Sequence, residues 1–189
     1  MKKSLSLWAI VGFTVTASLG SILHFLYEWT NACAIVAPFS AINESTWEHI
    51  KILFFPMFLF AIVESFYLAK GYPEFWPVKL KSIFLGLLLI PVLFYTYNGV
   101  FGHSPDFVNI LIFILADLAS YLYEYNSLKV HKKQKLSPTT SFILIAIISI
   151  MFMVFTFVTP NLPIFAAPSE LTIYFDTIVN KLCVVLASR

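Results

Sequence analysis

Residues 43–69 read NESTWEHIKILFFPMFLFAIVESFYLA, from Asn43 to Ala69, and they decide the fold. The first nine carry two carboxylates, an imidazole and an ammonium. The remainder is apolar and close to the length of about 20 residues that a helix needs to cross a bilayer. After Lys51 the only charged residue in it is Glu64. Ser45-Thr46-Trp47-Glu48 has the S-x-x-E form of a capping box, so a helix is expected to start there. Ser45 would accept from the Glu48 amide, and the Glu48 side chain would return to the Ser45 amide. Trp47 suits an interface anchor. Lys51 would snorkel outward or pair with Glu44 or Glu48.

The rest of the chain is of the same kind. It is 59% hydrophobic and 12% charged over 189 residues. A soluble domain is about 45–50% apolar and about 25% charged, so this composition indicates a polytopic membrane protein. Apolar runs place spans near 5–27, 47–69, 78–97, 107–123 and 142–158. The expected fold is an all-α integral membrane protein, about five transmembrane helices in one bundle over residues 1–159, with a tail over 160–189. Pro56 and Pro91 fall inside spans, where neighbouring helices can satisfy the freed carbonyls. Lys2 and Lys3 before the first run imitate a signal peptide, but the run is too long and Thr16 to Gly20 is a poor cleavage site. Ala32 to Phe39 and Leu182 to Ala187 are apolar but too short to span; the first suits a re-entrant or interfacial piece. Pro160, Pro163 and Pro168 make the start of the tail an irregular cap.

Lysines set the orientation. Lys2, Lys3, Lys70, Lys79, Lys81, Lys129, Lys132, Lys133 and Lys135 fall on one side of this arrangement, and Lys51, Lys181 and Arg189 on the other. Positive loops stay inside, so the N-terminus is expected to be cytoplasmic and the tail extracytoplasmic. Cys33 and Cys183 have no metal-type spacing. No basic patch alternates with aromatics on a soluble face, which excludes nucleic acid and leaves the lipid bilayer as the partner.

On this topology the ionisable residues segregate. His24 and Glu28 lie one turn apart on one face at the outer end of the first span. Glu44, Glu48 and His49 open the second span on the same side, and His103 and Asp106 enter the fourth. Together these seven offer the nitrogen and oxygen ligands that a divalent metal such as zinc accepts. The spacing forms no H-E-x-x-H motif, and Glu44 and Glu48 are also explained by helix initiation. A second feature is a stripe on the fourth span: Asp106, Asn109, Asp117, Ser120, Tyr121 and Glu124 recur at helical spacing. Asp117 is placed near mid-membrane, where a carboxylate is protonated or paired, and Glu64 can join the same track.

Two blocks resemble a known family. Gly20-Ser21-Ile22-Leu23-His24-Phe25-Leu26-Tyr27-Glu28-Trp29, and Asn43 to Lys51 together with Leu53-Phe54-Phe55-Pro56-Met57, are similar to small integral membrane proteins mainly of Gram-positive anaerobes, labelled only as a domain of unknown function. The resemblance implies a bacterial plasma membrane and no particular activity. Family members tend to end in a short Pro-rich piece after the last span, which Thr159 to Phe165 matches and Ala166 to Arg189 does not.

These residues suit three functions. A structural or accessory membrane protein ranks first, because no catalytic set is complete. A membrane-embedded metal-dependent hydrolase would use His24, Glu48 and His49. A small ion-coupled transporter would use Asp117; five spans are few for a self-contained carrier, so a homodimer is then expected.

Overall fold

Each of the five long apolar runs is a helix. The computed structural model describes residues 2–102 and 105–167, with the backbone alone for Lys2, Lys3 and Asp106. The helices are α1 (Lys2–Trp29), α2 (Thr46–Leu68), α3 (Phe75–Phe101), α4 (Asp106–Lys129) and α5 (Pro138–Phe157), with a 3-10 turn after them at Pro163–Phe165. All five are long and apolar enough to cross a membrane, and no strand occurs among the described residues. This is an all-α, multi-pass membrane protein.

Several boundaries differ from the expected ones for local reasons. α5 starts at Pro138, because Ser137 caps it by accepting from the Thr140 amide at 3.0 Å and proline fits the first helical position. α4 runs on past Tyr123 to Lys129, because Glu124, Ser127 and Leu128 are buried against the bundle. Pro56 and Pro91 sit inside α2 and α3 without ending them.

Consecutive helices from α1 to α4 pack on one another, α4 closes back on α1, and α5 lies along α3. α2 is the most enclosed, with every residue from Ile50 to Met57 buried. Its Phe54 and Phe55 meet Phe152 of α5, and Trp47 stacks near Phe152 and Phe165 at 4.6 Å between ring centroids. Trp47 is therefore half-buried between α5 and the 3-10 turn, rather than a free interface anchor. The outward faces carry exposed Leu7, Ile10, Phe66, Phe107, Ile150 and Phe157, as a lipid-facing surface requires.

α1 is seated through glycine. A Cβ on Gly12 would run into the Tyr121 ring of α4 and come within 2.8 Å of Phe60 of α2. Small residues allow such close approach where lipid supplies no hydrophobic drive between helices. Gly12→Leu is expected to prise α1 from this seam and lower stability by about 1–3 kcal/mol. A melting curve in detergent that matches wild type would refute it.

The ends of the bundle differ in chemistry. At one end a small apolar cluster joins Leu5, Leu68, Tyr72, Phe75, Val78 and Leu128, and His131 pairs with Glu74 at 2.9 Å. Lys70, Lys81, Lys129, Lys132, Lys133 and Lys135 gather at this end. At the other end the chain leaves α1 through Asn31 and Ala32, both at positive φ, with the Ala32 amide bonded back to the Tyr27 carbonyl. Residues 30–45 then turn over the end of the bundle and bury Ala37, Ser40 and Ala41. The piece from Ala32 to Phe39 is thus a folded cap made of turns, pinned by the Ala41 amide on the Leu23 carbonyl at 3.2 Å.

Candidate metal centre

The cap brings three ligands together. His24 comes from α1, Glu44 from the loop just before α2, and His49 from the first turn of α2. One ligand atom from each lies within 4.8 Å of the others. His24 Nε2 is 3.8 Å from Glu44 Oε1, and His49 Nε2 is 3.6 Å from Glu44 Oε2. The two imidazole rings are 5.4 Å apart between centroids. Bond lengths of about 2.0–2.2 Å from zinc to nitrogen and oxygen suit ligand separations only slightly shorter than these.

Local structure orients the trio. The Asn43 side chain accepts from the Ser45 amide at 2.9 Å, and Ser45 Oγ accepts from the Glu48 amide at 3.4 Å. These bonds fix the N-terminus of α2 and place His49 one turn in. His49 Nδ1 lies 2.9 Å from the Ser45 carbonyl oxygen. A carbonyl can only accept, so Nδ1 donates there, and in the neutral ring Nε2 presents its lone pair to the trio. Metal-binding histidines are oriented in this way by an outer hydrogen bond. The site is open on one side: the Glu44 side chain is 65% exposed, against 25% and 19% for His24 and His49.

The other expected members fare differently. Glu28 is exposed and stands outside the trio. His103 and the Asp106 side chain lie outside the described residues, as does the tail from residue 168 with Cys183 and Leu182 to Ala187. Glu48 turns inward. Its Oε2 accepts from the Ile42 amide at 3.0 Å and from Lys51 Nζ at 2.5 Å. The reciprocal half of the capping box is therefore not formed: Asn43, not Glu48, satisfies the Ser45 amide. Nor does Lys51 snorkel. It is fully buried, and its ammonium donates also to the Ala37 carbonyl at 2.9 Å and to Thr156 Oγ1 at 3.0 Å. Three acceptors meet its three protons, and they tie α2 to the cap and to α5.

The α4 stripe points inward. Asn109 is half-buried, and Asp117, Ser120, Tyr121 and Glu124 are buried. Ser120 Oγ donates to the Ala116 carbonyl at 2.8 Å, Ser82 Oγ of α3 donates to the Ser120 carbonyl at 2.7 Å, and the Tyr121 and Thr16 hydroxyls pair at 2.9 Å. Glu124 bonds Lys79 at 2.6 Å, and so does Glu64 of α2. Lys79 is therefore not a loop cation, as the charge count along the sequence suggests; it is a fully buried residue of α3 held by two acids. A signal for this exists in the sequence, because Glu64 and Glu124 fall at the same depth and need a cation there.

The sequence matches a family profile over residues 1–172, nearly its whole length. The chain belongs to the family of unknown function DUF6512. No curated protein and no solved structure matches it.

Proposed function

We propose that this member of the family binds a divalent transition metal of the zinc class at His24, Glu44 and His49. The observation that carries the reading is the contact of His49 Nδ1 with the Ser45 carbonyl, which orients the ring so that Nε2 faces Glu44. Three protein ligands with an open side suit a site that keeps a position for water or substrate, as catalytic zinc sites do; structural zinc sites close with four. A metal there would lower the pKa of a bound water and polarise a carbonyl or phosphoryl oxygen. Glu48 is unavailable as a hydrolytic base because Lys51 and the Ile42 amide hold it. Metal binding is thus the proposed role, with hydrolysis as the chemistry that the open position suits.

The burial of Lys51 and Lys79 bears on orientation too. With both removed from the count, the described loop lysines all lie at the end opposite the trio. The excess of positive charge at that end supports placing it in the cytoplasm and the metal site on the outer face of a bacterial plasma membrane.

Elemental analysis of tag-free protein purified without chelator tests the proposal. About one zinc-class ion per chain is expected, with His49→Ala and Glu44→Gln each weakening binding by at least about 10-fold. Zinc at about 100 times its Kd should also raise stability by about 2.7 kcal/mol in wild type. No bound metal after zinc addition, or wild-type binding by both variants, would overturn the reading.

A further inference from the structure

Between its midpoint and its lysine-rich end, the interior of the bundle holds more acid than base. Glu64, Glu124 and Asp117 are each at most 2% exposed, and Lys79 is fully buried. Glu64 and Glu124 each spend one oxygen, Oε2, on the Lys79 ammonium at 2.6 Å. Three other carboxylate oxygens, Glu124 Oε1 and both of Asp117, are buried without a hydrogen-bond partner among the described residues.

The surroundings offer no further countercharge among the described residues. α1 presents Thr16, whose hydroxyl is taken by Tyr121, and has no ionisable residue between Lys3 and His24. α2 contributes Glu64, α3 contributes Lys79, and α4 contributes Asp117, Tyr121 and Glu124. α5 has no ionisable residue. The Lys79 ammonium also lies 5.1 Å from the centre of the Tyr121 ring, so that ring adds attraction for the cation and no positive charge of its own. With every carboxylate ionised, three negative charges would face one positive charge inside an apolar bundle. An effective cost of several kcal/mol per uncompensated buried ion makes that state untenable. The group is neutral only when it takes up two more monovalent cations.

We propose that Asp117, Glu64, Lys79 and Glu124 form an intramembrane proton-binding centre that holds two exchangeable protons beyond those of the ammonium. One sits on Asp117, and the other is shared between Glu64 and Glu124. Taking up each proton converts one carboxylate to a carboxylic acid, with bulk water as the source and sink. A proton fits better than a metal cation because the orphaned oxygens belong to groups seven residues apart on α4, about 10 Å along its axis, too far to coordinate one ion together. The centre shares no residue with the metal site and stands independently of it.

Infrared spectroscopy of the full chain in liposomes tests this through the protonated-carboxyl stretch. Two protonated equivalents are expected at neutral pH, fading as the pH is raised in ionophore-treated vesicles. Asp117→Asn should remove one, half of the signal, and Glu124→Gln should remove or shift the other. Aspartate carrying carbon-13 in its side-chain carboxyl provides the same assignment in unmutated protein: one band should shift and the other should not. No buried protonated carboxyl at neutral pH would overturn the proposal. So would bands unresponsive to pH, or bands that respond to sodium in place of pH.

Discussion

Lys79→Met is expected to lower the unfolding free energy by about 3–5 kcal/mol, the range found when one partner of a buried ion pair is removed. Its ammonium is the one cation set among three buried acids of the described bundle, and it binds two of them directly. Methionine fills most of the volume, so the loss reports charge and hydrogen bonding more than a cavity. It also removes the link from α3 to α2 and α4. The triple variant Lys79→Met, Glu64→Gln, Glu124→Gln removes the stranded charges together and should recover much of the loss, since replacing a whole buried network with neutral groups is often tolerated. Thermal melting in detergent gives both values. A single variant within about 1 kcal/mol of wild type, or a triple variant no better than the single, would show that the ammonium is not what neutralises this interior.

The contrast between Lys79 and the helices around it shows what the sequence could tell. Span number and helix class rest on runs of apolar residues, a local property, and all five runs are helices. The cap at Ser45 was half legible: its acceptor role and the Asn43 bond to its amide are local, whereas the inward turn of Glu48 depends on how residues 37–43 fold over the end of the bundle. Lys79 is misread for a physical reason: a lysine near the end of an apolar run normally reads as reaching for water, and only the position of acids on other helices reveals its buried partners. Lys51 takes Glu48, one of the two partners its spacing offers, and what the spacing does not show is its complete burial. His24, Glu44 and His49 were legible as candidates because topology puts them at one end. Which carboxylate joins the histidines was not, because Glu44 and Glu48 lie one turn apart. The choice is made by Lys51, which draws Glu48 inward and leaves Glu44 to the histidines.

That choice makes Lys51 the residue on which the capped end of the bundle depends, and Lys51→Met should show it twice. The first effect is stability, again about 3–5 kcal/mol, because Glu48 at 3% exposed is left as a buried charge without its cation. Two further acceptors, the Ala37 carbonyl and Thr156 Oγ1, also lose their donor. Thr156→Val removes only one of the three bonds and should cost about 1 kcal/mol. The second effect is on the cap. With the Ala37 anchor gone and Glu48 free to move, the segment from Ala37 to Ile42 should exchange its amide hydrogens faster, while the middle of α2 stays protected. Glu44 lies on that same segment's exit into α2, so zinc affinity should fall although no ligand has been touched. Adding Glu48→Gln to Lys51→Met should restore much of the stability, by removing the stranded charge, but not the anchoring of the cap. Stability recovered without metal affinity would separate the two roles of this lysine. Unchanged exchange across residues 37–42 in the single variant would show that the cap holds its shape without Lys51.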